Sequence, residues 1–328
     1  MRPTSIGPNA SSAHPKVARV RVGVEIPMAE GEGGGSRSSS TPDWPTIQAF
    51  ALAAEERGLD SLWLCDHFFR FPTEPAGGIH EAWTIVAALA ASTSRVELGQ
   101  LVLSTPFRNP ALLAKMAATA DAVSGGRLIL GLGSGWADAE SDAFGYPTDH
   151  RVGRFEEALQ ILVPLLGGET VTFAGRYHTV RDAVLRPPPD RRIPVLVAAR
   201  RPQMVRLTAR FADAWNTAWY GFPDDRLHAE LGALHAALAA EGRAPSSIRR
   251  TVGMIVRDPD ASGGGDAQST GFAGSVDELA HAIDAYTALG IDDLIIGLEP
   301  RTERSLERLA KAISLRRLLE PRVARRKR

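Results

Sequence analysis

The chain has a single cysteine, no excess charge of either sign and no apolar run long enough to cross a membrane. Cys65 has no second cysteine with which to form an internal disulfide, a pattern typical of proteins in the reducing cytosol. The 38 basic and 38 acidic side chains balance, so the overall charge favours no nucleic-acid partner. A membrane span needs about 18 consecutive apolar residues, and the sequence has no such run. We therefore expect a cytoplasmic protein with neither nucleic acid nor a membrane as partner.

The composition is that of an ordinary globular protein, with 44% apolar and 23% charged residues in a chain of 328. Residues 1–18 are polar and lack the apolar segment of a signal peptide, so we expect a disordered leader there. Residues 19–319 are expected to form one domain. Residues 320–328 are expected to form a basic tail at the solvated end of the last helix.

Strand-like apolar runs alternate with helix-like segments along this domain. The predicted strands are residues 20–26, 61–65, 96–103, 128–132, 195–198, 214–216, 251–256 and 293–297. Helical signals follow, for example Pro110 in a first turn and a capping-box pattern that begins at Ser275. Eight strand–helix units predict a (β/α)8 TIM barrel. The rival fold, an open doubly wound sheet, would need a glycine-rich dinucleotide turn after the first strand, where the chain has Pro27 and Met28.

Two segments depart from the regular barrel pattern. Residues 167–194, after the fourth strand and its helix, contain a hairpin-turn signal at 173–177 and three prolines at 187–189, and they form a predicted insertion. Residues 29–43, after the first strand, have the Gly- and Ser-rich composition of a flexible loop. On the catalytic face of a barrel, such a loop is either a lid or a tolerated insertion.

The second predicted strand ends on Asp66 and His67. In TIM barrels the C-terminal ends of the strands carry the chemistry. An imidazole beside a carboxylate at that position suits a general acid or base with its orienting group, since imidazole exchanges protons near neutral pH. The structural alternative is a carboxylate that only caps the following turn. No further His and Asp ligand set accompanies the pair, so we expect no metal site.

Glycines, one polar residue and several aromatic residues mark other strand ends. The fourth strand runs into Gly133, Ser134 and Gly135, where bare backbone can approach a flat ligand closely. Gln100 is a polar interruption in the third strand. We expect an apolar substrate pocket, for which packing in the core is the equal alternative at each position, and its candidate lining residues are Phe68, Phe69, Phe71 and Trp136.

Several longer motifs together resemble the bacterial luciferase-like superfamily and, within it, the F420-dependent oxidoreductases. The motifs are LWLCDH at 62–67, the block from ELGQLVLSTPF to LGLGSGW at 97–136, RFEEALQILVPLLGGETVTFAGRYH at 154–178, IPVLVAA at 193–199 and ARFADAWN at 209–216. The resemblance spans residues 20–297, and the block between 98 and 136 is its most specific part.

This resemblance implies a (β/α)8 barrel with an insertion after the fourth strand and the deazaflavin coenzyme F420 at its mouth. It assigns the contact with the coenzyme ring to Asp66 and the acid/base role to His67. It also implies a cis peptide bond between Leu101 and Val102, behind the ring, and we expect these two residues and Gln100 to bind the coenzyme. The other coenzyme-binding positions that it implies are Gly133, Ser134 and Gly135 after the fourth strand and Ala198, Ala199 and Arg200 after the fifth.

Two positions depart from the family's pattern. Members that oxidise sugar phosphates have a glutamate proton donor where this chain has Trp136, which argues against a sugar-phosphate reaction. Many members have Gly-Gly in the segment after the fifth strand, where this chain reads AARR at 198–201. Arg200 or Arg201 beside a helix N-terminus can itself bind the coenzyme phosphate.

Three functions are compatible with these residues. The first is hydride transfer between F420 and an unidentified small organic substrate, with His67 as acid or base. The second is a monooxygenase that uses reduced FMN and oxygen. The third, motivated by the altered phosphate segment, is a non-catalytic barrel that binds a flavin or deazaflavin. The alanine-rich helices predicted at 81–92 and 110–123 could support a homodimer.

Overall fold

Eight parallel strands close into a barrel in the computed structural model, which describes residues 19–32, 40–71, 76–260 and 271–319. The strands are β1 (Arg21–Glu25), β2 (Ser61–Leu64), β3 (Glu97–Gln100), β4 (Leu128–Gly133), β5 (Val195–Ala198), β6 (Ala214–Tyr220), β7 (Arg249–Arg257) and β8 (Asp293–Glu299). Each strand pairs with the next along the chain, and β8 pairs with β1, for example Ile295 with Gly23. The predicted TIM barrel is confirmed. The predicted leader, the basic tail and the middle of the 29–43 loop lie outside the described residues.

A helix follows each barrel strand. The helices are α1 (Trp44–Glu56), α2 (Ala82–Ser92), α3 (Pro110–Ser124), α4 (Arg151–Leu166), α5 (Pro202–Phe211), α6 (Asp225–Ala240), α7 (Val276–Ala288) and α8 (Glu303–Leu319). Their ends follow local chemistry: the Asn109 side chain accepts the first free N–H groups of α3, and Ser275 and Glu278 form the predicted capping box of α7. Among the described helices, none combines the length and the apolar character that a membrane crossing requires.

The lower part of the barrel interior is filled by side chains. A central apolar layer consists of Trp63, Ile129, Leu196, Ala214 and Ile295. Gly99 makes room for this layer, because a methyl group there would lie 2.4 Å from the Trp63 ring. Below it, at the N-terminal ends of the strands, a charged layer of ion pairs consists of Arg21, Glu97, Arg249 and Asp293. Ligand access is therefore restricted to the opposite end, where the strands terminate.

The third strand is shorter than the predicted 96–103. β3 ends at Gln100, and a cis peptide bond joins Leu101 to Val102 before Leu103–Ser104 pairs with β4. The cis bond implied by the family resemblance is thus present in the structure. β6 and β7, in contrast, extend beyond their predicted ends, to Tyr220 and Arg257.

The predicted insertion after α4 is an antiparallel hairpin. Val171–Ala174 pairs with Thr179–Ala183 around the predicted turn. The Glu157 carboxylate on α4 accepts hydrogen bonds of 2.7–2.9 Å from the backbone N–H groups of residues 176, 177 and 178. These bonds fasten the turn of the hairpin to the helix that precedes it.

Candidate active site

A cavity of about 880 Å³ opens at the C-terminal ends of the barrel strands. Its volume is in the range of sites that hold a cofactor or a drug-sized ligand. The structure brings most of the predicted site residues to its wall: Asp66, His67, Phe71, Leu101, Val102, Gly133, Ser134, Gly135, Trp136, Ala198, Ala199, Arg200 and Arg201. Positions that are up to 135 residues apart in the sequence thus share one cavity.

Gln100 and Phe68 are not among the residues that line this cavity. Side chains alternate along a strand, so Gln100 points away when the next residue faces the cavity. Its amide is fully buried, and neither amide atom has a hydrogen-bond partner among the residues that the structure describes. The Phe68 ring instead packs against Phe107 and Phe144, with ring centres 4.3 and 4.2 Å away. Phe69 belongs to the same aromatic cluster, through Phe144.

The imidazole of His67, just after β2, is oriented by Glu140. Its Nδ1 atom lies 2.8 Å from Oε2 of Glu140. The other oxygen of this carboxylate accepts hydrogen bonds from the backbone N–H groups of Phe68, at 2.6 Å, and Phe69, at 3.0 Å. Glu140 is only 1% exposed. The second ring nitrogen of His67, Nε2, makes no hydrogen bond with any residue in the described part of the chain, and the ring forms part of the cavity wall.

Glu140 is a site residue that the sequence analysis missed. It lies on a short helix, Asp138–Ala143, that follows β4 and was not predicted. The buried residues here are Ala137, Glu140 and Ser141, which have the i, i+3, i+4 spacing of one helical face. A glutamate on that face was the available signal, but six residues are too few for periodicity to be recognised.

Trp136 stands beside the catalytic candidate, as part of the same wall. Its ring meets the His67 ring edge-on, with centroids 5.6 Å apart and an interplanar angle of 78°. Because Trp136 is 58% exposed, it is not a core residue. The structural alternative of simple core packing therefore does not apply to this side chain.

Asp66 does not orient His67, in contrast to one of the roles expected from the sequence. Its two carboxylate oxygens accept hydrogen bonds from the Arg108 guanidinium at 2.7 and 3.0 Å. One of them also accepts the backbone N–H of Ser104 at 2.9 Å. Arg108 reaches on to Glu81, which caps the N-terminus of α2. Consecutive residues of an extended segment point to opposite sides, so Asp66 faces Arg108 while His67 faces Glu140.

Two glycines, Gly133 and Gly135, pack closely against the segment that contains the Leu101–Val102 bond. A methyl group at Gly133 would lie 2.7 Å from Cγ2 of Val102. Gly135 has a positive φ of 77° and would place a methyl group 2.8 Å from Oγ of Ser104. Any other residue would push the loop after β4 away from Val102 and Ser104, so both glycines are needed for this close approach. A second non-proline cis bond, Ala218–Trp219 at the end of β6, also borders the cavity and has no signal in the sequence.

Two cationic side chains at the end of β5 are free to bind an anion. Arg200 and Arg201 are exposed, and neither forms an ion pair with a carboxylate among the residues that the structure describes. Arg201 is the N-cap of α5 but makes no side-chain capping bond, so the first N–H groups of this helix have no cap. Guanidinium groups beside a free helix N-terminus form a site for phosphate.

A buried cluster of Glu25, Arg301 and Glu32 forms the cavity wall at the ends of β1 and β8, and the sequence analysis missed it. The Arg301 guanidinium pairs with Glu25 through one nitrogen and with Glu32, at 2.6 Å, through the other. Burial raises the pKa of Glu25, although Arg301 opposes this effect. Burial alone would lower the pKa of Arg301, but the two carboxylates raise it. Burial also raises the pKa of the neighbouring Cys65 thiol to about 12, so the thiol stays protonated.

The base of the loop after β1 borders the same cavity. Ala29 forms an isolated antiparallel bridge with Ile79, and the Glu30 N–H donates to the Gly78 carbonyl at 2.7 Å. These bonds tie the loop to the segment that follows β2. The role of residues 29–43 as a lid stays a prediction. Over the described ranges, no group of three or more His, Cys, Asp or Glu side chains is positioned to bind a metal ion.

Comparison with known proteins places this geometry among redox enzymes. The family model described as luciferase-like monooxygenase matches residues 20–261. An F420-dependent glucose-6-phosphate dehydrogenase of Kineococcus radiotolerans is 37% identical over 207 residues, which are 62% of this chain and 61% of that protein. A phthiodiolone/phenolphthiodiolone dimycocerosates ketoreductase of a Mycobacterium species (strain JLS) is 30% identical over 286 residues, 73% of this chain and 75% of its own length. The chain spans between 51% and 65% of the length of four such glucose-6-phosphate dehydrogenases.

Solved structures share the fold at low sequence identity. An F420-dependent secondary alcohol dehydrogenase in complex with an F420–acetone adduct superposes with a TM-score of 0.73 at 19% identity, covering 91% of this chain and 99% of that one. The monooxygenase RslO1 from Streptomyces bottropensis superposes with a TM-score of 0.72 at 22% identity, covering 90% and 97%. At these identities, the likeness is one of fold.

Proposed function

The chain belongs to the luciferase-like monooxygenase family, and from this premise we propose that it is an oxidoreductase that transfers hydride between coenzyme F420 and a small organic substrate. The relatives named for F420 support this choice of coenzyme. One observation carries the proposal: His67 lines the cavity with Nδ1 held by Glu140 and with Nε2 free of hydrogen bonds to the described residues. A proton-exchanging group is thus oriented where a substrate can reach it.

The residues present fit F420. Leu101, Val102 and Gly133 line one part of the cavity, and Gly133 carries no side chain that could obstruct a planar ring there. The exposed guanidinium groups of Arg200 and Arg201 suit the phosphate group of the coenzyme. When bound, F420 supplies a ring carbon that exchanges hydride with the substrate.

The chain's own residues would supply proton exchange and orientation. Oxidation of an alcohol to a carbonyl compound releases a hydride from carbon and a proton from the hydroxyl group, and the proton goes to Nε2 of His67. In the reverse direction the same atom returns the proton to the carbonyl oxygen. Glu140 keeps the imidazole in one orientation and accepts the N–H at Nδ1, which leaves Nε2 with a free lone pair. Trp136 limits water access to this ring by covering one of its edges.

Titration of the purified protein with F420 and, separately, with FMN tests the proposal. F420 fluorescence should change saturably on binding, and FMN should bind at least about tenfold more weakly, a difference of about 1.4 kcal/mol. Tighter binding of FMN would replace the proposal by a reduced-FMN monooxygenase, which the superposition on a monooxygenase structure makes the second candidate. Failure of both ligands to bind would leave the non-catalytic barrel.

A further inference from the structure

The cavity has two electrostatically different sides. Arg200 and Arg201 lie just after the end of β5. Glu25 is the last residue of β1, and Arg301 lies just after β8. In the order of the closed barrel, β5 is four strands away from β1, so the two groups stand on opposite sides of the mouth. If the phosphate of the coenzyme occupies the β5 side, the side with Glu25 and Arg301 is left for the substrate.

Arg301 is not available to a ligand. One of its terminal nitrogens pairs with Glu25, and the other pairs with Glu32 and also approaches the Ile26 carbonyl at 3.5 Å. The Arg301 side chain is 16% exposed, and those of Glu25 and Glu32 are 5% and 18% exposed. Arg301 favours the ionised form of Glu25 against the effect of burial, and with both carboxylates ionised the cluster carries one excess negative charge. An anionic substrate group would therefore meet repulsion that solvent screens only in part.

One carboxylate oxygen of the cluster is free to accept a hydrogen bond. Oε2 of Glu25 binds Arg301, while its Oε1 has no hydrogen-bond partner in any described segment, and Glu25 is one of the residues that line the cavity. Oε2 of Glu32, in contrast, is taken by the backbone N–H groups of Met28 and Ala29, at 2.9 and 3.0 Å. A buried acceptor of this kind favours a ligand that brings a hydroxyl or N–H donor.

Among the described residues that line this side of the cavity, Arg70 is a further cation, and its guanidinium packs partly against the protein. Its guanidinium stacks on the Phe71 ring, 5.2 Å from the centroid. Its Nη1 atom is buried against Gly31, where a methyl group would lie 3.1 Å away. The face that Arg70 offers to a ligand is therefore smaller than that of Arg200 or Arg201, which are exposed.

We propose that Glu25, Glu32 and Arg301 determine the substrate class: they exclude phosphorylated and other anionic substrates and select an uncharged alcohol, or the corresponding ketone, that carries a second hydroxyl group able to donate to Glu25. This inference rests on the proposed function, because the substrate side is defined relative to bound F420. Of the activities in the relatives' names, ketone reduction fits this wall and glucose-6-phosphate oxidation does not.

Calorimetric titration of the full chain with glucose and with glucose 6-phosphate tests the inference, since the two ligands differ only in the phosphate. For the wild type, loaded with F420, glucose 6-phosphate should bind no more tightly than glucose. In the double variant Glu25→Gln/Glu32→Gln, Arg301 loses both carboxylates, and glucose 6-phosphate affinity should rise at least about tenfold. The control Glu303→Gln/Glu307→Gln also removes two carboxylates, those on α8 that pair with Arg57. It should change neither the glucose affinity nor the glucose 6-phosphate affinity.

Two results would overturn the inference. One is a wild-type preference of tenfold or more for glucose 6-phosphate over glucose, which needs no variant. The other is a double variant that keeps its circular dichroism spectrum and gains no glucose 6-phosphate affinity. If F420 itself does not bind, the proposed function fails, yet the same comparison in the coenzyme-free protein still tests the charge of this wall. The comparison that counts there is between wild type and the double variant. Both contain the Arg200 and Arg201 site, so this site does not contribute to the difference in their glucose 6-phosphate affinities.

Discussion

Nδ1 of His67 lies 2.8 Å from Oε2 of Glu140, a carboxylate whose other oxygen is held by two backbone N–H groups. A carboxylate oxygen that accepts a hydrogen bond requires Nδ1 to be the donor. This bond therefore sets both the orientation and the tautomer of the imidazole. The ring presents Nε2 as a proton acceptor to the cavity, which is the state needed to oxidise an alcohol.

Replacement of His67 by alanine should lower kcat by about 10²- to 10⁴-fold, the usual contribution of a general acid or base. F420 affinity should stay within about twofold, because the wall and phosphate residues are untouched. Steady-state kinetics and fluorescence titration measure the two quantities. His228→Ala, which removes an exposed histidine of α6, is the matched control. Unchanged turnover would remove His67 from the mechanism.

Glu140→Gln should lower kcat by about 10²-fold while the fold is retained. The glutamine oxygen is expected to keep the backbone bonds of Phe68 and Phe69, so its NH₂ group faces Nδ1 and forces the proton to Nε2. Nitrogen-15 shifts of the His67 ring report the tautomer directly, a readout that a merely structural role would not move. Asp142→Asn, on the same short helix but exposed, should leave both measurements unchanged. An unaltered tautomer would argue against this positioning role.

Removal of both free cations after β5, by Arg200→Gln/Arg201→Gln, should weaken F420 binding by about tenfold or more, because charge-assisted hydrogen bonds are worth about 1.5–3 kcal/mol each. The salt dependence of binding should fall in parallel, since screened charges are lost. Fluorescence titration at two ionic strengths tests both effects. Arg206→Gln, an exposed arginine further along α5, serves as the control. Equal affinity in all variants would mean that backbone groups alone hold the phosphate.

Asp66→Ala should reduce the free energy of unfolding by about 3 kcal/mol, the lower end of the range for breaking a buried ion pair. Arg108 keeps Glu81 as a partner, which limits the loss. Urea denaturation measures the change, and Asp149→Asn, which breaks an exposed pair with Arg154, is the comparison expected to matter little. If the Asp66 variant is instead as stable as wild type and loses F420 affinity, the ring-contact role implied by the family resemblance applies.

The stability contribution of Glu81 should disappear in acid. Burial opposes ionisation of this carboxyl, but the N–H groups of Trp83 and Thr84 and the Arg108 guanidinium outweigh it and lower its pKa. A lowered pKa in the folded state means that the contribution is complete above about 4.5, the ordinary value, and is lost as the pH falls through the folded value. Urea midpoints of wild type and Glu81→Gln should therefore differ at pH 7, and the difference should shrink as the pH falls below about 4.5. A constant difference would show that the carboxylate charge does not stabilise α2.

The family assignment and the barrel were predictable from the sequence because both depend on local sequence patterns. Apolar runs that alternate with capped helices specify strand–helix units, and the block from 97 to 136 identified the luciferase-like family, which the family comparison confirms. Chain order also placed His67 and Gly133 at strand ends, and strand ends meet at one mouth in any TIM barrel. No long-range information was needed for these conclusions.

The partners of those residues were not predictable in the same way. Glu140 lies 73 positions after His67, and Arg301 lies 276 positions after Glu25. Neither pair has a sequence spacing that marks it. Asp66 pairs with Arg108 and does not orient His67, and Gln100 and Phe68 do not line the cavity. These differences have a related cause, since the direction of a side chain near the end of a strand depends on how the strand terminates.

The sequence by itself determined the type of molecule: the strand–helix repeat, the closed barrel and a histidine at its mouth. Only the tertiary structure decided which carboxylate orients that histidine, which arginines are free and which are neutralised. Repeated local patterns encode the elements, because propensity and apolar periodicity act over neighbouring residues. Charge pairing acts over a few ångströms in space, so it becomes defined only when distant segments are brought together.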